Sequence, residues 1–138
     1  MDSNFDLLRV SASGLYAQRA RMNLIASNMA NAHTTRTEEG GPYRRQDIVF
    51  TATPMGKDPK DGISGVAVSE VVQDQSPFKA VVDPGNPDAD ENGVVQMPNV
   101  DPLAEMVNMM MASRAYEANV STFNISKGMF KSALTIGK

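Results

Sequence analysis

Large apolar residues recur at Leu8, Leu15, Met22 and Met29, each seven positions after the last. Ile25 and Ala32 fall on the adjoining row, where Ser11 and Gln18 also lie. Seven-residue spacing marks a helix that packs along one seam against another helix. Ser3 or Asn4 can cap its start, and Asp6 sits in the first turn, where the helix dipole favours a negative charge. The pattern predicts a long helix from about Ser3 to Ala32.

The same period returns at the other end of the chain, in Met109, Tyr116, Phe123 and Phe130. Met106, Val120 and Leu134 occupy the companion row, which Ser113 and Lys127 interrupt. Asp101 is a good cap, and Pro102 stands at the first helical position, where its missing N–H is no loss. Glu105 follows in the opening turn. A second long helix is expected, running nearly to Gly137 and Lys138. The two seams most simply pack on each other.

Between them the periodicity changes. Of the eight prolines, only Pro102 lies outside this middle stretch. Short β-rich runs stand out: "DIVFT" (47–51), "GVAVSEVV" (65–72), "FKAVVD" (78–83) and "GVVQM" (93–97). In an extended chain Val66, Val68 and Val72 face one way, with Glu70 the exception on that face. "MGKDPKDG" (55–62) and "PGNPDADENG" (84–93) have turn chemistry. The organisation expected is therefore residues 1–35 as an N-terminal helix, 36–100 as a β-rich region with long loops, and 101–138 as a C-terminal helix. The fold class is α+β, an antiparallel helical hairpin with a small antiparallel β insertion.

Length and charge narrow the function. A chain of 138 residues is one domain's worth, and its net charge of −3 argues against a broad basic surface for nucleic acid. With no cysteine, disulfides, thiolate metal sites and cysteine nucleophiles are excluded. The start of the chain lacks the basic residues and continuous apolar run of a cleaved signal peptide. No stretch approaches the apolar length needed to cross a bilayer.

Three features resemble reactive sites and are read otherwise. His33, the lone histidine, falls where the first helix should end and can complement its dipole. "DADENGVVQMPN" (88–99) opens like a calcium loop with Asp88, Asp90, Asn92 and Gly93. The place of its bidentate glutamate is taken by Asn99, so a solvated acidic turn is expected. "NMMM" (108–111) could suggest copper(I) or a peptide groove, but successive helical residues point in different directions, which favours packing against several neighbours. No phosphate loop, Ser–His–acid set or converging carboxylate pair appears. The expectation is a non-enzyme without cofactor or metal.

The helices are rich in small residues. Ala26, Ser27, Ala30 and Ala32 in the first, and Ala112, Ser113, Ala115, Ala118 and Ser121 in the second, let another helix approach closely. Alanine alone would only raise helix propensity, but Asn23, Asn28, Asn31 and Asn119 are poor helix formers. They suit hydrogen bonding across dense contacts between subunits. Gly128, inside the second helix, costs about 1 kcal/mol relative to alanine and marks another close approach or a bend. A two-helix hairpin with one narrow seam and two wet backs is marginal by itself.

"SGLYAQRARMNLIASNMANAHTT" (13–35) and "EMVNMMMASRAYEANVSTFNISKGMFKSALTIG" (105–137) resemble the N- and C-terminal signatures of bacterial flagellar rod and hook proteins. "DPGNPDADENGVVQMPNVD" (83–101) and the short length are similar to one proximal rod member of that family. The resemblance implies a structural subunit of the rod in the flagellar basal body, a torque-transmitting drive shaft. It implies export without a cleaved signal by the flagellar type III apparatus, and assembly in the periplasmic section. Implied partners are copies of itself, other proximal and distal rod proteins, the hook–basal-body complex protein and the MS ring at the base. The paired terminal helices would form the inner tube, ordering on docking, with the β-rich part outside. The competing reading is a soluble helical-hairpin adaptor or chaperone of the flagellar system.

Overall fold

A computed structural model describes residues 2–56 and 62–136. The turn read at 55–62 falls largely outside them, as do Gly137 and Lys138. Two long helices, α1 (Asp2–Ala30) and α2 (Pro102–Ile136), flank four strands: β1 (Gln46–Pro54), β2 (Ser64–Gln73), β3 (Lys79–Val82) and β4 (Val94–Met97). α1 already runs from Asp2, ahead of Ser3 and Asn4, whose side chains lie outside the described residues.

Local chemistry stops one helix and starts the other. The Ser27 carbonyl accepts both the Asn31 N–H at 3.1 Å and the Asn31 Nδ2 at 2.9 Å, closing the last turn of α1. At α2 the Asp101 Oδ1 accepts from the Leu103 N–H at 3.0 Å, with Pro102 at the first helical position. Both features match the cap read from sequence.

α1 and α2 run antiparallel. Phe5 meets Phe130 edge-on, with ring centroids 5.4 Å apart. Further along, Gly14 faces the Asn119 amide, and Asn28 reaches Glu105. As the residue number rises along α1, that of its partner falls along α2.

The β insertion is two separate two-stranded sheets, β1–β2 and β3–β4, each antiparallel. β1 and β2 pair from Gln46↔Gln73 to Pro54↔Ser64, and the register slips between Val49 and Phe50. Val49 pairs with Glu70 and Phe50 with Val68, so Ser69 is the extra residue of a bulge. That corrects the face read for β2. An extra residue reverses the alternation, leaving Val66, Val68 and Val71 with Ile48 and Phe50, while Glu70 and Val72 lie on the other side with Val49.

The β1–β2 hairpin lies on a flank of α1. The Ser13 hydroxyl donates to the Val10 carbonyl at 2.7 Å and accepts from the Val66 N–H at 3.0 Å. Helix and strand approach this closely because the neighbouring residue is Gly65, which is buried. A Cβ there would collide first with the Met55 thioether and would stand 2.8 Å from the Ser13 Oγ. Gly65→Val should therefore lift β2 off α1 and lower unfolding stability by about 1–3 kcal/mol, read from the urea midpoint. Gly85→Ala, with nothing nearer than 3.7 Å, should leave that midpoint unchanged.

Candidate assembly interface

The most buried apolar side chains among the described residues are small or medium: Ala17, Ile25, Ala32, Val95, Val100 and Ala112. Alanines in the seam bring the helices close at the expense of apolar area. On α1 the expected row is in place, with Ile25 4 % exposed and Leu8, Leu15, Met22 and Met29 half-buried. On α2, Met109, Tyr116, Val120, Phe123 and Phe130 are half-buried.

The companion row on α2 differs from the sequence expectation. It is Glu105, Ala112, Asn119 and Ser126, of which Glu105 and Ala112 are each 1 % exposed. Met106 and Leu134, expected in the seam, are 51 % and 48 % exposed. The reason is steric. Small residues admit α1 on their side of α2, which leaves Leu134 outside the contact. Met106 instead joins Ala26, Met29, Met109 and Met110 in lining an open apolar groove of about 560 Å³. The methionine run does fan out, with Met109 turned towards α1 and Met110 and Met111 more than half exposed.

The small and polar positions divide by role. Asn23 and Ser27 are exposed, Ala115 is half-buried, and Asn119 packs its amide against Gly14. Asn31 is taken up with the end of α1, donating to Ser27 and accepting from the Thr34 hydroxyl.

Asn28 is wholly committed inside the chain and has nothing left for a neighbour. Its Nδ2 donates to the Gln46 carbonyl at 2.8 Å and to the Glu105 Oε2 at 3.3 Å. Its Oδ1 accepts from the Tyr43 hydroxyl at 2.9 Å and the Gln46 N–H at 3.0 Å. An asparagine side chain has two donors and two lone pairs, so its capacity is filled. Arg45 completes this hub. Its Nε donates to the Glu105 Oε1 at 2.7 Å, and its Nη1 reaches Asp47 at 3.2 Å and Asp74 at 3.6 Å. Its own N–H donates to the Asn99 Oδ1 at 2.7 Å, while the Asn99 amide donates to the Asp74 and Ser76 carbonyls.

The electrostatics follow from the geometry. Burial lowers the Arg45 pKa, but the hydrogen bond and charge of Glu105, then those of Asp47, outweigh it and hold the guanidinium above its ordinary value. The hydroxyl and N–H of Ser76, then the charges of Arg45 and Arg44, hold the Asp74 carboxyl below the usual range. Of this hub the sequence reading had Asn28, assigned to contacts between subunits, and Glu105, taken as a first-turn acid. Tyr43 and Arg45 stand in no periodic row or motif, so nothing local marks them. The available signal was Glu105 itself, standing in the same seven-residue row as Ala112 and Asn119.

The other candidates are occupied locally. Asp88 accepts from the Thr35 hydroxyl at 2.7 Å and pairs with Arg36 at 2.6 Å. The Asp90 Oδ1 accepts from the Asn92 and Val94 N–H groups at 2.9 Å. His33 is exposed, just past the end of α1. Among the described residues no helix is long and apolar enough to cross a membrane.

Comparison with known proteins decides what this hairpin belongs to. Residues 8–36 match the family model "Flagella basal body rod protein", and residues 91–136 match "Flagellar basal body rod FlgEFG protein C-terminal". The flagellar basal-body rod protein FlgC of Borreliella burgdorferi is 46 % identical over 146 residues, covering 96 % of each chain. That of Salmonella typhimurium is 44 % identical, covering 96 % of this chain and 97 % of its own. That of Bacillus subtilis is 45 % identical, covering 97 % and 98 %.

The chain belongs to the FlgC family of flagellar basal-body rod proteins. It is a structural subunit of the rod. The two matched segments hold α1 from Leu8 onward and α2 to its end, and with them Asn28 and Glu105. In this FlgC-family chain the hub is what keeps the two matched segments in register. Glu105→Ala would leave Arg45 without its buried partner and Asn28 with an unfilled donor. We expect a loss of about 3–5 kcal/mol, measured as a fall in the urea midpoint of the isolated chain.

Proposed function

We infer that this chain is a non-enzymatic subunit of the proximal rod, in the periplasmic section of the shaft, and that its helical hairpin is the part that builds the tube wall. The observation carrying this reading is the distribution of apolar surface. The described core is largely alanine and valine, while Tyr16, Leu103, Met110, Met111, Ile125 and Met129 are each more than half exposed on the two helices. A chain of 14.9 kDa that folded into a compact monomer would expose about 7,000 Å²; this one exposes 9359 Å². Its neighbours in this reading are copies of itself, the other proximal and distal rod proteins, and the hook–basal-body complex protein and MS ring at the base. The flagellar type III export apparatus delivers it, and the β sheets face outward from the tube. No feature favours the adaptor reading.

The hairpin is held unequally along its length. Near Asn28 and Glu105 it is tied by buried hydrogen bonds, whereas beyond Phe123 Phe5 meets Phe130 edge-on and Leu7, Met129 and Ala133 line a shallow pocket. The far end therefore orders on docking, and interlocked helices then carry torque. In the isolated chain, amides of α2 beyond Phe123 and of α1 before Ser11 should exchange rapidly. Those around Ile25–Asn28 and Glu105–Ala112 should be protected. Uniform protection along both helices would contradict docking-dependent order.

The assembly role itself is tested with Phe123→Asp in a flagellated host whose own rod protein of this family is deleted. A buried carboxylate in the seam blocks rod assembly and abolishes swimming, while the variant chain stays soluble. Normal swimming would overturn the assignment of the hairpin as the assembling part.

A further inference from the structure

Of the chain's ten methionines, four converge on the open groove between the helices. Met106, Met109 and Met110 stand at positions i, i+3 and i+4 of α2, which sets them on one face of that helix. Met29 joins them from α1. The run at 108–111 is thus divided by the fold. Met109 and Met110 line the groove, whereas Met111 lies outside it, 59 % exposed. Successive residues do point different ways, and the set that "NMMM" cannot supply alone is completed by Met106 and by the other helix.

The composition of the groove is selective. Besides the four methionines only Ala26 lines it, with no leucine, isoleucine, valine or aromatic ring and no side chain bearing oxygen or nitrogen. A plain apolar contact would be served as well by leucine, which both helices use elsewhere, as at Leu15 and Leu103. The frame of the groove is fixed. Met29 follows Asn28 and Met106 follows Glu105, so the buried Asn28–Glu105 hydrogen bond at 3.3 Å holds the two helices together beside it. Its walls are adaptable, because each thioether sits on an unbranched, flexible stem. Met106 and Met110 are 51 % and 58 % exposed, so an ion can enter from solvent and the sulfurs can close on it.

Thioethers are soft, neutral ligands that select ions such as Cu(I), while hard cations take oxygen. Among the described residues no three His, Asp or Glu side chains stand together as a competing metal set, and the chain has no cysteine. We propose that Met29, Met106, Met109 and Met110 form a binding site for a soft monovalent cation, Cu(I) or Ag(I), coordinated through their thioether Sδ atoms. The ion joins α1 to α2 at the end of the hairpin already tied by Asn28 and Glu105. Every ligand comes from one chain, so the site stands independently of the rod reading.

The purified full-length chain is dialysed against Ag(I) in chloride-free buffer and, under nitrogen, against Cu(I) held reduced. The site predicts uptake of about one ion per chain in each case. Leucine conserves the volume and apolar character of methionine, and positions 106 and 110 are both exposed. M106L/M110L therefore keeps the metal-free urea midpoint and loses the ion, whereas M111L/M129L, altered outside the groove, retains it. Thioethers have no proton to release, so uptake is the same at about pH 5 and about pH 7. Ag(I) raises the urea midpoint of the native chain and raises that of M29L less, because the link to α1 is gone. No uptake by the native chain, or equal uptake by M106L/M110L, overturns the site. Uptake that falls on acidification, as with imidazole or carboxylate ligands, overturns the thioether assignment. A midpoint shift undiminished in M29L overturns the part given to α1.

Discussion

The structure depends on one buried polar junction. Glu105 at the start of α2 holds Arg45 from the lead-in to β1, and Asn28 near the end of α1 binds Glu105, Tyr43 and Gln46 together. An isolated carboxylate at this depth would be strongly disfavoured. Paired with a guanidinium and hydrogen-bonded on both oxygens, it becomes a fixed point. Because its members come from both helices and the first strand, this junction sets helix register and head position at once. Breaking it is costly in a way that loosening one apolar contact is not, since every partner is left with an unmet bond.

Away from the junction the hairpin is lightly built. The seam alternates medium apolar residues with alanine, asparagine and serine, which brings α1 and α2 close without burying much area. The buried hydrogen bonds between the helices and the lead-in to β1 are gathered at one end of the hairpin. The same economy leaves Tyr16, Leu103, Ile125 and Met129 more than half exposed on the two helices.

Several elements could be read directly from the chain. The seven-residue rows at Leu8–Met29 and Met109–Phe130 placed both helices, and Asp101 with Pro102 placed the start of the second to the residue. The side of α2 that meets α1 was less legible. Choosing the companion row by apolar character picked Met106 and Leu134, whereas the helices meet over Ala112 and Asn119, where small size permits contact. The β2 face was misjudged for a different reason: one extra residue at Ser69 reverses the alternation, and nothing in "GVAVSEVV" announces a bulge before its partner strand is known.

What the sequence by itself determined is what local rules control: helical period, capping, turn chemistry, the absence of thiol chemistry, and the signatures shared with rod proteins. Each depends on residues a few positions apart. What only the tertiary structure decided is which distant residues meet. Asn28, Arg45 and Glu105 are unremarkable in their own segments, and their chemistry exists only once the chain closes on itself. The physical reason is that burial changes what a polar side chain does. In water Asn28 is a poor helix former with many alternatives; held by four hydrogen bonds, it has one.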